Sequence, residues 1–368
     1  MRYAAAAVAL ALVAGCTDGG GGRPAPSGAA SVSASGTASP TPSRTPSPGA
    51  VGSPEGVLVY TTDRGVWALA PGEPPKLVVR TTGEILDVER SDNGYDVGVL
   101  SAAGGITSFT LHDLSGGETL TWPLPGVTAT EVGFVWSTFV VVDEDPGTEY
   151  LTFTTSALDS ATPPPAKRIN GVSGARLLAA QEGTLLVATS ERATARGGPE
   201  TVHQVYSNGD TTRLFTDGQT GLTKARRNLP IGVAGLTADG QRLVYGTGYA
   251  GGECAYDFDV AVFDIKNRTE IPPAKAPSLG QGSFSVVASV SLDGGGRTVV
   301  GLSDEVGGCG GTGRASAYLY YGEDFRPFAG GAVWAGASAD GRLATLDSNG
   351  ALTVDEARVA TGVARAMW

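Results

Sequence analysis

From Val57 onward the apolar residues come in short runs separated by Gly, Pro, Asp and Asn, and no run keeps the 3.6-residue period of an amphipathic helix. The pattern predicts β-strands throughout. Its clearest unit is LTADGQRLVY, Leu236–Tyr245: a strand, a tight turn at Asp239-Gly240, and a second strand over Arg242–Gly246. Glycine supplies the positive φ that a two-residue hairpin needs, and Asp is the favoured residue before it. The unit recurs, with turns at Asn93-Gly94, Glu182-Gly183, Asp293-Gly294 and Asp340-Gly341.

The intervals between these turn glycines are 89, 57, 54 and 47 residues. The first is about two periods, and EVGFVWSTFVVVDE (Glu131–Glu144) supplies its missing member, with Ser137-Thr138 at the turn. Four strands per repeat of about 45 residues is the size of a β-propeller blade. Six complete four-strand units fit between Glu84 and Thr361. Three strands, Val57–Tyr60, Gly65–Leu69 and Lys76–Val79, are left at the start and one, Gly362–Trp368, at the end. Joined, they make a seventh blade and cover both open edges. The expectation is an all-β, seven-bladed β-propeller closed by a C-terminal strand. Six or eight blades remain alternatives because the unit around Trp136 is degenerate.

The first fifty residues are different. Arg2 precedes an apolar run, Tyr3–Val13, too short to span a bilayer as a permanent helix. The run ends in Val13-Ala14-Gly15-Cys16, which resembles the lipobox of bacterial lipoproteins. The resemblance implies cleavage before Cys16 and a diacylglycerol on its thiol, which is a stable two-chain anchor. Residues 16–54 are Gly, Ser, Thr, Pro and Ala with no apolar period. Such a segment cannot bury enough surface to offset its ordering entropy, and it reads as a disordered tether. The organisation is therefore 1–15 signal peptide, 16–54 lipidated linker and 55–368 propeller. Localisation follows as lipid-anchored on the extracytoplasmic side of the cell membrane.

Charge and cysteine count narrow the partners. The formal net charge is −11, and loss of residues 1–15 removes Arg2, leaving 25 basic against 37 acidic residues. That balance disfavours nucleic acid. With Cys16 assigned to lipid, Cys254 and Cys309 are an even pair in an oxidising compartment, and a disulfide between them is expected. A metal site there has no His nearby and no C-x-x-C spacing. A calcium site at Asp257 and Asp259 is the other metal reading, without the Gly and Glu of an EF-type loop. The two histidines, His112 and His203, fall on third strands of different blades, which argues against a His-based triad. No G-x-S-x-G, P-loop or H-E-x-x-H is present, and no cofactor is implied.

The hairpin pattern (S/T)-x-D-G-x-x-(I/L)-(V/A)-(F/Y/T), carried best by TADGQRLVY and SADGRLATL, resembles the propeller repeats of the Tol-Pal system and of prolyl-oligopeptidase-type proteins. It implies fold far more than function. In such a ring the long second-to-third loops, Ser190–Glu200, Thr247–Asp257 and Ser303–Ala315, belong to consecutive blades and share a face. Arg192, Arg196, Arg226, Arg227, Tyr249, Tyr256, Asp257 and Arg314 are the candidate binding residues on that face. The sequence supports a monomeric, non-catalytic binding module for an envelope protein, peptide or cell-wall glycan. A hydrolase or lyase using carboxylates at the propeller face is the alternative. Cys16→Ala should abolish metabolic labelling with fatty acid and release the chain from membranes, and retention of either property would refute the lipid assignment.

Overall fold

The computed structural model describes residues 43–44, 56–145, 148–154, 165–190, 200–217, 231–250, 256–272, 277–280, 285–304, 312–322 and 324–368. Among them there is no helix. Seven antiparallel sheets form the seven blades of a β-propeller. Their first strands are Glu84–Arg90, Val132–Val135, Ala175–Gln181, Ala234–Leu236, Val286–Leu292, Trp334–Ala337 and Arg365–Met367, which number blades 1 to 7. Blade 7 is completed by Leu58–Thr62, Gly65–Leu69 and Lys76–Val79, so the last strand of the chain pairs with the first of the ring, Val59 opposite Met367 and Thr61 opposite Arg365. The expected closure is therefore the observed one. Ser43–Arg44, placed in the linker by composition, pairs with the outer strand of blade 1, Ser43 opposite Thr121.

The core is divided as the topology requires. Seven apolar clusters each join two neighbouring blades, and together they run once round the ring. Between blades 1 and 2 the cluster holds Phe109, Trp122, Phe134, Phe139 and Phe153. Between blades 5 and 6 it holds only Val299, Ala317, Leu319, Ala332 and Ala335, with Phe328 and Ala329 partly buried against it. Small residues let those two blades approach closely. A Cβ on Gly301 would lie 1.7 Å from the Val333 carbonyl oxygen. Hydrogen bonds add to the thin apolar contact: Ser289 Oγ donates to Val333 O (2.7 Å), Trp334 Nε1 to Ser291 Oγ (2.9 Å) and Gly294 N to Ala337 O (2.8 Å).

In blades 1, 4, 5 and 6 the first-to-second-strand turns are longer than the simple two-residue hairpin, which blades 2 and 3 keep. Thr237 Oγ1 donates to Asp239 Oδ1 (2.6 Å) and accepts from Arg242 N (3.1 Å), while Asp239 Oδ1 also accepts from Gln241 N (3.1 Å). Ser91 with Asn93, and Ser338 with Asp340, repeat the arrangement. The (S/T)-x-D-G pattern thus specifies a longer turn closed by its own side chains, with glycine at positive φ at Gly94, Gly240 and Gly341. In blade 5 the positive φ falls on Gly296 rather than Gly294, because Asp293 Oδ1 caps Gly295 N and Arg297 N and widens the turn. In blade 2 the turn is Trp136-Ser137, not Ser137-Thr138, and Thr138 already pairs with Val135. Trp136 at φ 52° is a costly conformation for a bulky side chain. Its Nε1 donates to Gly183 O on blade 3 at 3.0 Å, which offsets part of that cost.

The first and last residues of the ring meet on this turn-bearing side. Trp368 Nε1 donates to Gly336 O (2.7 Å), and its ring lies under the Arg342 guanidinium at 5.1 Å. Arg342 also donates to Gly56 O, and Arg90 Nη1 donates to Val57 O at 2.8 Å. Removing residues 362–368 should leave the ring open and give an aggregating chain without near-ultraviolet dichroism. Trp368→Ala should destabilise by about 2–3 kcal/mol in urea. A monomeric, cooperatively folding truncation would reject closure by the last strand.

Candidate functional site

Strand direction alternates within each blade, so first-to-second turns lie on one face. The second-to-third loops and the blade-to-blade connections lie on the other, called here the loop face. The first strands enter the ring from that face, and their opening residues surround the mouth of the axis.

Several of those residues are charged. Arg176, second residue of its strand, makes a bidentate pair with Glu200, Nε to Oε1 at 3.1 Å and Nη2 to Oε2 at 2.9 Å. Its Nη2 also donates to Ile231 O (2.8 Å), while Ile231 N donates to Glu200 Oε2 (2.9 Å). This closed network ties blade 3 to the first residues of blade 4. Glu131 of blade 2 stands 3.7 Å from Arg176 Nη1. Glu144 accepts from both Thr130 N (3.1 Å) and Thr130 Oγ1 (2.6 Å), holding the connection that leads into Glu131. On the other side of blade 1, Arg365 pairs with Asp87, whose Oδ2 accepts from Val132 N at 2.9 Å. Blades 7, 1, 2 and 3 therefore line the mouth with charge, and Val233 and Ala288 bring exposed small apolar side chains from blades 4 and 5.

The electrostatics locate these groups. Desolvation pushes Glu131 up to about 7, with Arg176 opposing and Glu144 and Glu200 adding to the rise, although 40% of its side chain stays accessible. Arg365 is drawn down to about 10 by desolvation with 47% accessible. Both side chains keep access to solvent beside their partners Arg176 and Asp87. Arg176 is held above its ordinary value: its own desolvation opposes the rise, and the hydrogen bonds and charge of Glu200 outweigh it.

A second feature of the loop face lies between blades 4 and 5. A groove of about 390 Å³ is lined by Ser278 and Leu279 of the interblade connection, by Arg314, Ser316 and Tyr318 of blade 5, and by Gly331 beyond it. Asp304 fixes the backbone from which Arg314 extends. Its carboxylate accepts from Thr312 N (3.1 Å), Thr312 Oγ1 (2.5 Å) and Arg314 N (2.9 Å). Its pKa lies below the usual range because these hydrogen bonds outweigh its desolvation.

Of the residues singled out in the sequence, Arg314 stands in this groove. Tyr249, Tyr256 and Asp257 are not in a loop. The two middle strands of blade 4, Arg242–Ala250 and Tyr256–Asp264, pair as far as Tyr249 opposite Asp257 and Ala250 opposite Tyr256. Alternating Thr, Tyr, Phe and Val carries the strands through glycines that read as loop. Arg192, Arg196, Arg226, Arg227, Cys16, Cys254 and Cys309 lie outside the described residues. Among the described residues no three His, Cys, Asp or Glu converge as metal ligands. His112 is fully buried, its Nδ1 2.8 Å from Thr119 Oγ1, and burial pulls its pKa down to about 4. His203 Nε2 lies 3.3 Å from Thr189 Oγ1. Asp87, Glu131, Arg176, Glu200 and Arg365 were missed. The available signal was a charged residue set into strands that otherwise read as apolar, as in Ala175-Arg176-Leu177-Leu178.

No family model matches the chain, and no curated protein matches it. Among solved structures, a chain of the mitotic checkpoint complex superimposes with a TM-score of 0.51 at 11% identity, over 87% of this chain and 91% of that one. A candidate 6-phosphogluconolactonase from Bacteroides uniformis gives 0.51 at 12% identity, over 84% and 98%. TolB from Acinetobacter baumannii gives 0.45 at 17% identity, over 74% of this chain, which spans 63% of TolB. These likenesses concern the propeller fold alone.

The shifted carboxyls set a pH dependence. Glu89 and Glu131 both rise from 4.5 to about 7 through desolvation, so the folded chain holds protons that the unfolded chain has released. Their contribution is complete below pH 4.5 and is lost as pH rises through 7. His112 acts oppositely, complete above 6.5 and lost as pH falls through 4. Glu131→Gln should therefore raise the thermal midpoint at pH 8 and leave it unchanged at pH 4, and an equal shift at both would contradict the desolvated carboxyl.

Proposed function

We propose that the chain is a lipid-anchored, extracytoplasmic binding module that recognises a protein, peptide or cell-wall glycan through its loop face, without catalysis. One observation carries this reading: the two faces are built differently. On the turn face, short turns satisfy their own polar groups, as Thr237 and Asp239 do. On the loop face, longer connections spring from anchored points, Glu200 held by Arg176 and Asp304 capping Thr312 and Arg314. Variable loops on a rigid scaffold are the usual ground for recognition.

The reading as a carboxylate-dependent hydrolase or lyase rests on Glu131, which is accessible and titrates near neutrality. Its neighbours weaken that reading. Glu200 is engaged by Arg176 and Ile231 N, and Glu144 by Thr130, so neither is a free partner for acid–base work.

A photocrosslinking residue at Val233 or Arg314 should trap a discrete adduct in intact envelopes. The same residue at Tyr206 or Tyr321, on turns of the opposite face, should not. Adducts confined to the turn face would overturn the assignment.

A further inference from the structure

Each blade ends in an outermost strand at the rim of the ring, and such a strand leaves every second residue's backbone N–H and C=O without a ladder partner. In six blades that strand carries a charged side chain, Lys76, Lys167, Arg213, Glu270, Arg326 or Arg358, which discourages a further strand from pairing. Thr119–Leu124 of blade 1 carries none. Among the described residues it is also the one outer strand with a further neighbour. Ser43 lies opposite Thr121 and Arg44 opposite Leu120, which makes blade 1 a five-stranded sheet. Composition and pairing single out the same edge independently.

The side chains of this edge are engaged within the ring. Leu120, Trp122 and Leu124 are buried against blade 2. Thr121 Oγ1 shares a hydrogen bond with Thr110 Oγ1 (2.9 Å), and Thr119 Oγ1 lies 2.8 Å from His112 Nδ1. Recognition at the rim is therefore left to the main chain, which asks of a partner an extended backbone and no particular side chains. Pro123 has no N–H and bounds the site on one side. The same rule bounds the occupant, since Pro40, Pro42, Pro46 and Pro48 flank Ser43–Arg44 and cannot donate to a ladder. A short pairing of this kind covers an edge without seeding a larger sheet.

The occupant is also local. Arg342 donates to Gly56 O, and Arg90 Nη1 donates to Val57 O at 2.8 Å, so the start of the ring is a fixed point. Only residues 45–55 separate that point from Arg44. A connection this short gives the chain's own segment an effective concentration on the order of millimolar at the edge, against which a second copy or a foreign strand must compete. We infer that Ser43–Arg44 is a strap. The linker is fastened in cis on the outer edge of blade 1, covers the one outer edge without a charge, and moves the exit of the tether from Gly56 on the turn face to the rim at Thr121. The bearing on the tether rests on the lipid anchor proposed above, whereas the strap itself does not. A pull on the tether is then borne by blade 1 rather than by the closing blade, and the point of attachment favours neither face of the ring.

The test uses the full chain in detergent micelles, hydrogen exchange of residues 119–124, and a fluorescein-labelled peptide of residues 38–50. Ser43→Pro combined with Arg44→Pro removes both N–H donors of the strap and changes no residue of the ring. In this variant residues 119–124 should exchange about tenfold faster than in the unaltered chain, while the outer strand of blade 6, Ala357–Ala360, keeps its rate. The peptide should bind the variant about tenfold more tightly than the unaltered chain, whose edge is occupied. Equal exchange in the two chains would overturn the strap. So would peptide binding to the unaltered chain as tight as to the variant, because the edge would then be open. A dimer of the unaltered chain that the variant loses would overturn the cis arrangement in favour of exchange between copies. None of these measurements reads membrane retention, so failure of the Cys16 assignment would leave the strap standing, and loss of the strap would leave the anchor.

Discussion

The structure depends on ring closure. Each blade buries its two faces only against its two neighbours, so seven interfaces must form together and none can be omitted. The last is made by a strand of three residues, Arg365–Met367, that joins the first strands of the ring. Around it the contacts are dense for their size. Met367 enters the cluster between blades 7 and 1, Ala366 the one between blades 6 and 7, and Trp368 seats on Gly336, where a Cβ would come within 2.7 Å of its ring. Arg365 extends the same strand to the axis and meets Asp87. A short strand can close the ring because apolar burial, a cation–π contact and ion pairing converge on it.

The interfaces are not equal. Blades 1 and 2 meet through stacked and tilted rings, Phe109 4.2 Å from Phe153 and 6.0 Å from Trp122 between centroids. Blades 5 and 6 meet through alanines and hydrogen bonds. Apolar burial adheres without direction, whereas Gly294 to Ala337 and Ser289 to Val333 fix register. The ring thus combines adhesive sectors with indexed ones, and the groove carrying Arg314 lies just before an indexed sector. The loop-face charges follow the same division. Arg176, Glu200 and Ile231 lock one another in place, while Glu131 keeps an accessible carboxyl whose proton is held by desolvation.

The fold was legible because its signal is periodic. Asp-Gly and Asn-Gly turns mark the blades, and the leftover strands at each end announce their own pairing. What the sequence concealed was local geometry. Asp293 widens its turn by capping two amides, which no count of residues reveals. Trp136 turns a corner without glycine because Gly183, 47 residues on, accepts its indole N–H. The site was less legible for a physical reason. Charged residues in loops attract notice, and Arg314 was found that way. The charges at the axis sit on strands, Arg176 next to Leu177 and Asp87 next to Val88, and they come together only when blades distant in sequence are arranged around a common centre.

The closing strand also has a bearing on time. Leu58–Val79 is among the first of the ring to be synthesised, and its partner is the last. At translation rates of about 5–20 residues per second the wait is on the order of tens of seconds. Throughout it the inner edge of Leu58–Thr62 stays unpaired and its apolar side chains lack a neighbour. No partial product can satisfy that edge, so a chain broken anywhere before Arg365 remains open and recognisable to a protease. The architecture makes completeness of the polypeptide a condition of its survival.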